Sequence, residues 1–368
     1  MQNSILKNTI LVTGGAGFIG SNFVLQSMSY ADEKIINLDL LTYAGNLQNI
    51  KSISGNPLHV FVNGDIADEL LVSSLLKKYN PKAIINFAAE SHVDRSIEES
   101  SQFINTNILG TYNLLEATRH YWNSLSEEDR KLFRFIHVST DEVYGSLEMT
   151  DSATTEKSRY QPNSPYSASK AASDHLVRAW YHTYGFPTII TNCSNNYGPL
   201  QFPEKLIPLV IVSIFEGKIL PIYGNGENIR DWLFVTDHCS AIRLILENGK
   251  VGETYNIGGN NEKTNLEVVQ IICSLFDKQL PADKGNLIHP QTNKPLVSYS
   301  ELITFVPDRL GHDKRYAINS SKIQQELHWR PTESFETGIV KTIEWYMNNR
   351  DWISEIKTGE YSKLRALQ

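Results

Sequence analysis

Two adjacent carboxylates, Asp141 and Glu142, directly follow a run of strand-forming residues in "HVSTDEVYG" (137–145). They could belong to an ordinary turn, or they could serve as general acid and general base. The acid would have to keep its proton near neutral pH, well above the ordinary aspartate pKa of about 3.9. Burial and the neighbouring carboxylate both raise a carboxyl pKa, but the sequence assigns no separate values to two coupled groups. Adjacent side chains of a strand point to opposite faces, so both acids can face one reactant only if strand geometry ends near residue 141.

A tyrosine and a lysine four residues apart, Tyr166 and Lys170, lie on one face of a predicted helix. Ser164 is the expected N-cap of this helix and Pro165 its first residue. Tyrosine titrates near pH ~10, too high for a base at neutral pH, but a nearby ammonium group favours the phenolate. The same spacing occurs by chance on solvated helices, so the pair gains weight only from its surroundings.

A glycine-rich turn follows the first predicted strand. "ILVTGGAGFIGSNFV" places Gly14, Gly17 and Gly20 three residues apart, after a strand and at the start of a helix. Such glycines let the backbone approach a pyrophosphate at a helix N-terminus, whereas a glycine triplet alone could be a plain tight turn. Asp39 ends the next strand, where an acid can bond a ribose 2′-hydroxyl and repels a 2′-phosphate. The pattern predicts a dinucleotide site that prefers NAD to NADP.

Two further strand ends could contact such a dinucleotide. Asp65 in "NGDI" ends the third strand, where it either reaches the adenine or caps the following helix. "FAAESHVDRS" (87–96) ends the fourth strand with small residues, so a cofactor can pass close. Ser91 follows that strand, outside the carboxyl end of the sheet, where ligands of such folds bind.

Strands and helices alternate through the first half of the chain. Near-continuously apolar runs predict buried parallel strands at 9–14, 34–39, 59–65, 83–89, 133–139 and 187–193. Helical patterns lie near 18–29, 67–79, 101–121 and 165–184. This alternation predicts an α/β fold with a Rossmann-type doubly wound parallel sheet.

The second half of the chain is less regular and predicts a smaller, mixed α/β C-terminal substrate lobe. We place the NAD-binding domain at 1–200, rejoined by a helix and a strand at about 232–260, and the substrate-binding lobe at 201–368. The stretch 281–298 is a predicted exposed loop without an assigned role.

Composition excludes several classes of protein. Apolar residues make up 41% and charged residues 20%, as in soluble globular proteins. The net charge of -7 argues against a nucleic-acid partner, although a pocket can still be locally positive. No signal peptide is evident and the most apolar run (206–215) is too short to span a bilayer, so we expect no membrane association and a cytoplasmic location. Three widely spaced cysteines indicate reduced thiols, and the ten histidines show no metal-ligand spacing, so no metal is expected.

These motifs together resemble the extended short-chain dehydrogenase/reductase family. Its marks are "TGxxGxxG" (13–20), "YxxxK" (166–170) and a Ser or Thr at the end of the fifth strand, here Thr140. Within that family, "STDEVYG" (139–145) is most similar to the dTDP-glucose 4,6-dehydratases, because related sugar epimerases usually lack an acid pair at this point. The resemblance covers nearly the whole chain, through "AAESHVDRSI" (88–97), "TNCSNNYGPLQFPEKLIPL" (191–209), "IYGNGENIRDWLFVTDH" (222–238), "NEKTNLEVV" (261–269), "DRLGHDKRYAI" (308–318) and the tail (342–361). One departure is Leu310, where the family commonly has proline.

The resemblance implies a redox-neutral loss of water from a nucleotide-diphosphate hexose, giving dTDP-4-keto-6-deoxyglucose. NAD would accept a hydride from C4 and return it to C6. Tyr166, assisted by Lys170 and with Thr140 orienting O4, would take the O4 proton. Glu142 would abstract the C5 proton, which the C4 ketone makes acidic, and Asp141 would protonate the departing 6-hydroxyl. The product is typical of deoxysugar pathways such as those for rhamnose, lipopolysaccharide and other cell-surface polysaccharides.

The resemblance also implies which residues contact each ligand, and a homodimer that pairs the helices at 101–121 and 165–184. Those expected to contact NAD are Gly14, Gly17, Phe18, Ile19, Gly20, Asp39, Thr42, Asp65, Ile66, Phe87, Ala88, Ala89, Ser91, Thr106, Tyr166, Lys170 and Asn196. Those expected to contact the nucleotide sugar are Ser91, Thr140, Asn195, Lys205, Leu206, Pro221, Tyr223, Arg230, Asn265, Asp308, Arg309 and His312. Arg230 and Arg309 are the expected phosphate clamps, because guanidinium matches phosphate oxygens bidentately. His312 could equally be a structural histidine.

Other functions remain open on the sequence. One is a dehydratase for a UDP-, GDP- or CDP-sugar, and another is a 4-epimerase of a nucleotide sugar, which the acid pair disfavours. A third is a non-catalytic NAD(H)-sensing regulator, which would not need Thr140, Tyr166, Lys170 and the acid pair together.

Overall fold

The computed structural model describes residues 5–30, 32–282 and 287–358. Residues 283–286 of the predicted loop and 359–361 of the tail quoted above lie outside the described residues. The strands are β1 (Lys7–Thr13), β2 (Lys34–Asp39), β3 (His59–Asn63), β4 (Pro81–Asn86), β5 (Arg134–Thr140), β6 (Thr188–Cys193), β7 (Asn195–Tyr197), β8 (Leu220–Tyr223), β9 (Ile229–Phe234), β10 (Thr254–Ile257), β11 (Glu262–Thr264) and β12 (Ile303–Val306). The α-helices are α1 (Phe18–Ser27), α2 (Glu69–Tyr79), α3 (Val93–Glu98), α4 (Ser100–Phe103), α5 (Thr111–Ser124), α6 (Glu127–Leu132), α7 (Pro165–Tyr184), α8 (Leu206–Phe215), α9 (Val235–Asn248), α10 (Asn265–Gln279), α11 (Ser321–Leu327), α12 (Phe335–Asn348) and α13 (Arg350–Thr358). No helix in the described ranges is long and apolar enough to cross a membrane.

Seven parallel strands form the main sheet, in the order β10-β6-β5-β4-β1-β2-β3. The six strands predicted from apolar runs are all present in it, and the predicted Rossmann-type fold is confirmed. The direction of strand succession reverses between β1 and β4. Ligands of such sheets bind at this reversal, outside the carboxyl ends of the strands.

Helices cover both faces of this sheet, which explains why its strands are apolar almost throughout. Ile10 and Val12 of β1 pack into a cluster with α1 and α9, whereas Leu11 points the other way, into a cluster with α2, α5 and α7. All three side chains are buried. Alternating residues therefore enter two different cores, so no polar face remains to reveal the strand period.

A second core lies in the C-terminal half. A three-stranded sheet (β11-β9-β7) and a two-stranded sheet (β12-β8) pack with α8, α10 and α12 around a separate apolar cluster. Only Ser194 separates β6 of the main sheet from β7, so the two halves meet where β6 ends. The domain boundary at residue 200 stays a prediction.

The helix predicted over 101–121 was wrong as a single helix. The chain instead passes from α4 through a π-helical segment (Ile104–Gly110) into α5. In that segment the Asn107 amide accepts from the Glu90 backbone N–H (2.9 Å) and donates to the Glu90 carbonyl (3.0 Å) and to Ser169 Oγ (2.8 Å). A π turn adds one residue to a helical turn and is common beside functional sites. The pattern of apolar residues does not reveal this π-helical segment, because residues distant in the sequence stabilise it.

Candidate active site

A cavity of about 510 Å³ opens outside the carboxyl ends of the central strands and extends into the C-terminal half. Every residue predicted to contact NAD lines it, as does every predicted nucleotide-sugar contact except Asp308. Four of the five predicted catalytic residues also line it, and Asp141 does not. The fold therefore brings together residues spread from position 14 to position 312, while their individual roles stay predictions.

The glycine-rich turn is shaped for close backbone approach. Gly14 has φ +69°, and a Cβ atom there would lie 2.7 Å from the Ala88 backbone nitrogen. A Cβ at Gly20 would lie 2.2 Å from the Gly14 carbonyl oxygen. Helix α1 begins immediately after this turn without a side-chain cap, so its N-terminus can receive an anion. The turn therefore fits a pyrophosphate group, and side chains at these positions would fill the space.

The carboxylate of Asp39 is held in place at the end of β2. It accepts from the backbone N–H groups of Ala16 (2.8 Å) and Leu41 (2.7 Å). A fixed anion at this edge of the cavity suits a ribose hydroxyl and opposes a 2′-phosphate.

Asp65 does not cap helix α2. The N-cap is Asp68, whose side chain accepts from the Leu71 backbone N–H at 2.9 Å. Asp65 instead accepts from the Ala67 backbone N–H (2.8 Å) and lines the cavity. Of the two readings of Asp65, helix capping is wrong.

The chain leaves strand geometry at the acid pair, as the sequence requires for both acids to serve one reactant. Strand β5 ends at Thr140, and a 3-10 turn begins at Asp141, with Thr140 Oγ1 accepting from the Glu142 backbone N–H (3.3 Å). Glu142 lines the cavity, whereas Asp141 is only 3% exposed and lies behind its wall. Asp141 Oδ1 is 3.5 Å from Thr140 Oγ1, and Oδ2 has no hydrogen-bond partner among the described residues.

Burial raises the pKa of the Asp141 carboxyl well above its usual range. The carboxylates of Glu142 and Asp231 raise this pKa further, because a second and third negative charge oppose ionisation. The direction expected from the sequence for this group is confirmed. Asp231 is an additional cause that the sequence did not indicate.

Glu142 lies in a different electrostatic environment. Burial raises the pKa of its carboxyl, but the Lys205 ammonium and the guanidinium groups of Arg230 and Arg309 act in the opposite direction. On balance both pKa values are raised, because burial is the largest influence at each carboxyl, but three cations limit the rise at Glu142 and two anions add to it at Asp141. Asp141 is therefore the acid of the pair that more readily keeps a proton.

Tyr166 is buried beside this pair. Burial, the Glu142 carboxylate and the Cys193 thiol raise the pKa of its phenol well above the ordinary value, and a side-chain hydrogen bond with Thr140 opposes them. The largest of these influences therefore favour the neutral phenol. To act as a base near neutral pH, Tyr166 needs a positive charge close by.

The Lys170 ammonium group lies deeper than the phenol. It donates to the Val138 carbonyl (2.8 Å), and its Nζ lies 3.5 Å from His137 Nε2. Burial lowers the pKa of Lys170, and the Asp174 carboxylate opposes this change. The sequence placed Lys170 on the same helix face as Tyr166 but gave no sign of this buried anion.

The far end of the cavity is cationic. The Arg230 guanidinium donates to two backbone carbonyls (2.8 and 3.0 Å) and lies 4.3 Å from the ring centroid of Tyr316. Arg309 lies 3.6 Å from the Asp94 carboxylate, and Lys205 donates to the Ser91 carbonyl (2.9 Å). Three cations at one end of a cavity are suited to a diphosphate.

Asp308 and His312 form a pair at the cavity edge. Asp308 Oδ1 lies 2.6 Å from His312 Nδ1, so the acid orients the imidazole and only the histidine lines the cavity. Leu310, between them, is 77% exposed. The departure from the family's proline therefore falls on a side chain that points to solvent.

Several polar residues that line the cavity were missed from the sequence, among them Asp94, Glu204 and Tyr316. Glu204 accepts from the Tyr43 hydroxyl at 2.9 Å, and Tyr316 stacks on Arg230. Each lies inside a stretch that carried the family resemblance, so the sequence indicated the segment but not the individual residue.

Comparison with known proteins agrees with this geometry. The family model described as GDP-mannose 4,6 dehydratase matches residues 11–342. A dTDP-glucose 4,6-dehydratase of Xanthomonas campestris pv. campestris (strain B100) is 57% identical over 96% of this chain and 97% of that protein, and one of Shigella flexneri is 54% identical over 96% of each. The crystal structure of a dTDP-glucose 4,6-dehydratase from Bacillus anthracis in complex with NAD has a TM-score of 0.81 and 47% identity, covering 95% of this chain and 99% of that one. That of a Streptomyces venezuelae dTDP-glucose 4,6-dehydratase with NAD bound has a TM-score of 0.82 and 44% identity, covering 94% and 98%. The chain therefore belongs to the dTDP-glucose 4,6-dehydratases, within the wider family described as GDP-mannose 4,6 dehydratase.

Proposed function

We propose that this protein catalyses the NAD-dependent dehydration of dTDP-glucose to dTDP-4-keto-6-deoxyglucose. The observation that carries the proposal is the turn after β5, where Glu142 faces the cavity and the neighbouring Asp141 is buried with a pKa well above its usual range. A simple oxidoreductase or epimerase of the same fold needs only the Thr140, Tyr166 and Lys170 set. Relatives that are 52–57% identical bear the name of this activity.

The residues that line the glycine-rich side of the cavity would hold NAD, which when bound supplies a hydride acceptor for C4 and a hydride donor for C6. Tyr166 takes the O4 proton, and Thr140 hydrogen-bonds the phenol and orients O4. In this proposal the ammonium of Lys170, four residues further along α7, favours the phenolate against the burial that otherwise keeps Tyr166 protonated.

Once C4 is a ketone, the C5 hydrogen is acidic enough for a carboxylate base. Glu142 takes that proton, the electron pair of the C5–H bond forms the C5–C6 double bond, and the C6–O bond breaks. Asp141 gives its proton to the departing hydroxyl, so one water leaves. As hydride is returned to C6, Glu142 gives its proton back to C5, which completes the 6-deoxy sugar. Because Asp141 lies behind the cavity wall, its side chain has to turn past Thr140 to reach O6.

The diphosphate of the substrate binds the cationic end of the cavity. Arg230 is preorganised by two backbone carbonyls and the Tyr316 ring, and Arg309 can exchange its 3.6 Å contact with Asp94 for a phosphate oxygen. This placement puts the sugar between the cations and Tyr166. Glu142 then lies at the junction of the diphosphate and sugar subsites.

The test is product mass with a panel of dTDP-, UDP-, GDP- and CDP-glucose. We expect loss of one water from dTDP-glucose, faster than from the other three, without accumulation of reduced cofactor. A Tyr166→Phe preparation, purified identically, reports any contaminating activity. An unchanged mass with inverted C4 would establish an epimerase, and no turnover with any sugar would support a regulator.

We also propose that the protein is a homodimer and is cytoplasmic. Apolar side chains are exposed along the π-helical segment, α5 and α7, among them Ile104, Leu109, Tyr112 and Tyr184. Light scattering should give twice the chain mass, and Leu109→Glu should give monomers. The three cysteines are buried and unpaired, as suits a reducing compartment, and cell fractionation tests the location.

A further inference from the structure

A buried carboxylate lies one helical turn beyond Lys170 on the same face of α7. Asp174 is 1% exposed. Its Oδ2 accepts from Ser139 Oγ (2.8 Å) and the Tyr160 hydroxyl (3.0 Å), and its Oδ1 lies 3.4 Å from His137 Nε2. None of these interactions is required by the four chemical roles assigned above. The carboxylate nevertheless lies directly behind the lysine.

The hydrogen-bond pattern assigns the tautomer of the histidine between them. Thr13 Oγ1 accepts from the Ala88 backbone N–H (3.3 Å) and donates its own hydrogen to Asn86 Oδ1 (2.6 Å). This assignment satisfies the buried hydroxyl and fixes the orientation of the Asn86 amide. The Asn86 amide nitrogen then faces His137 Nδ1 (3.2 Å) and donates to it. The imidazole proton is therefore on Nε2, which lies 3.3 Å from Ser173 Oγ and 3.4 Å from Asp174 Oδ1.

The lysine and the carboxylate form one buried charge pair. Lys170 Nζ and Asp174 Oδ1 lie within 3.5 Å and 3.4 Å of the same atom, His137 Nε2, so they are at most about 7 Å apart. The other titratable groups that face the pair are His137 of β5, Tyr144 of the 3-10 turn, Tyr160 of the loop that follows and Cys193 of β6.

Those four groups are neutral near neutral pH. Burial lowers the pKa of His137 and raises the pKa values of both tyrosines and of the thiol. Burial also raises the pKa of Asp174 to about 6, and the Lys170 ammonium opposes that rise. Among the described residues, Asp174 is thus the anion that offsets the burial of the Lys170 charge at pH 7.

We propose that Asp174 is a positioning residue for the reaction: its carboxylate keeps Lys170 cationic and held against the Val138 carbonyl. The inference rests on the proposed function, because it presumes that Lys170 assists Tyr166. Asp174 touches neither the cavity nor the reacting atoms, so its effect is transmitted by charge and by orientation.

The test is the pH dependence of Asp174→Asn, which removes the charge and keeps the shape. A unit charge about 7 Å away in a protein interior shifts a pKa by about one to two units. Without the anion the Lys170 pKa falls, so the ammonium is lost at lower pH. We therefore expect the alkaline limb of the kcat profile to move to lower pH by about one to two units, while KM for dTDP-glucose stays within about twofold.

A second readout is independent of turnover. The side-chain nitrogen of Lys170, labelled with ¹⁵N and assigned by its loss in Lys170→Met, should titrate at lower pH in Asp174→Asn than in the wild type. Tyr160→Phe is the matched control, because it removes one hydrogen bond to the same carboxylate but keeps the charge. Its Lys170 titration and its alkaline limb should match the wild type.

The proposal is overturned if Asp174→Asn leaves both the Lys170 titration and the alkaline limb in place, even when overall activity falls. If this variant does not fold, the wild-type Lys170 resonance decides, since it should show an inflection near pH 6 when Asp174 protonates. A resonance without that inflection overturns the proposal. Failure of the wild type to dehydrate dTDP-glucose would instead overturn the proposed function, while the Lys170 titrations would still report on Asp174.

Discussion

Replacing Glu142 by glutamine separates the two halves of the proposed reaction. The amide has nearly the shape of the carboxylate but cannot accept the C5 proton. Oxidation at C4 uses Tyr166 and Thr140, so it should continue in Glu142→Gln. Elimination should stall, and the enzyme should accumulate as a complex of the 4-keto sugar with reduced cofactor.

The size of the effect follows from the role and surroundings of Glu142. A positioned general base contributes about 10²- to 10⁴-fold, so kcat for water loss should fall by that factor, equivalent to about 3–5 kcal/mol. Nucleotide affinity should move the other way. Glu142 is an anion among Lys205, Arg230 and Arg309, and removing it frees their charge for the diphosphate. At a separation of roughly 8 Å and an effective dielectric constant of about 40, this is worth about 1 kcal/mol, or roughly fivefold tighter binding of dTDP.

The assay combines stopped-flow absorbance of the reduced nicotinamide with mass analysis of the product. Mixing Glu142→Gln with dTDP-glucose should give a burst that approaches one reduced cofactor per site, followed by slow loss of water. Calorimetric titration with dTDP measures the affinity. Glu148→Gln is the matched control, because Glu148 is an exposed glutamate paired with Lys314 on the surface, and its burst and kcat should equal those of the wild type.

Water loss at the wild-type rate in Glu142→Gln would refute the assignment of the base. Weaker dTDP binding would refute the electrostatic argument separately, because it would mean that Glu142 helps to bind the nucleotide. Absence of the burst would place Glu142 in the oxidation step and not in the elimination.

Three further predictions follow from the same geometry. Asp141 has a raised pKa in the folded state, so the stability that its protonated form supplies is lost as pH rises through that pKa. Asp141→Asn should therefore eliminate water far more slowly. Its Tm by scanning calorimetry should nevertheless exceed that of the wild type by a margin that grows as pH rises above the ordinary aspartate pKa, and a constant margin would contradict the raised pKa. Arg309→Ala should weaken dTDP binding about 10- to 100-fold with little change in kcat, since a charged hydrogen bond contributes roughly 1.5–3 kcal/mol. Calorimetric titration measures the affinity, and an unchanged affinity would show that Arg309 is not part of the phosphate site. Gly14→Ala should destabilise the fold by roughly 1–3 kcal/mol in urea titration and weaken NAD binding, because φ is +69° and the new Cβ would lie 2.7 Å from the Ala88 nitrogen. Gly55→Ala is the control, because its new Cβ meets no atom within 4 Å, and it should have neither effect. Equal behaviour of the two variants would contradict the steric argument.

Much of the fold was predictable because its signals are local. Tyr166 and Lys170 share a face through helical spacing alone, and Ser164 caps that helix as expected, its side chain accepting from the Ser167 backbone N–H. The buried strands were identifiable because parallel strands covered on both faces are apolar at every position. The departure from strand geometry at residue 141 was also deducible, since two adjacent acids cannot otherwise serve one sugar.

Features that depend on partners distant in the chain were not predictable. The π-helical segment forms where Asn107 meets the backbone of Glu90, 17 residues earlier, and Ser169, 62 residues later. Asp68, and not Asp65, caps α2, a choice between two nearby acids that depends on where the helix begins. The sequence did not indicate a role for Asp174 of α7, because its partners His137 and Ser139 lie on β5.

The amino-acid sequence by itself determined the Rossmann-type fold, the nucleotide-sugar chemistry and many of the residues that line the cavity. These follow from residue type, from local spacing and from motifs, all of which are written along the chain. Only the tertiary structure decided how differently the two acids are shifted. Burial raises both pKa values, but at Glu142 three cations, Lys205, Arg230 and Arg309, oppose the rise, and the fold brings them from 63 to 167 residues away. At Asp141 two anions add to the effect of burial, so its pKa is raised well above the usual range. A pKa depends on the groups that surround a side chain in the folded protein, so the pKa values of adjacent residues such as these two can be shifted by different amounts.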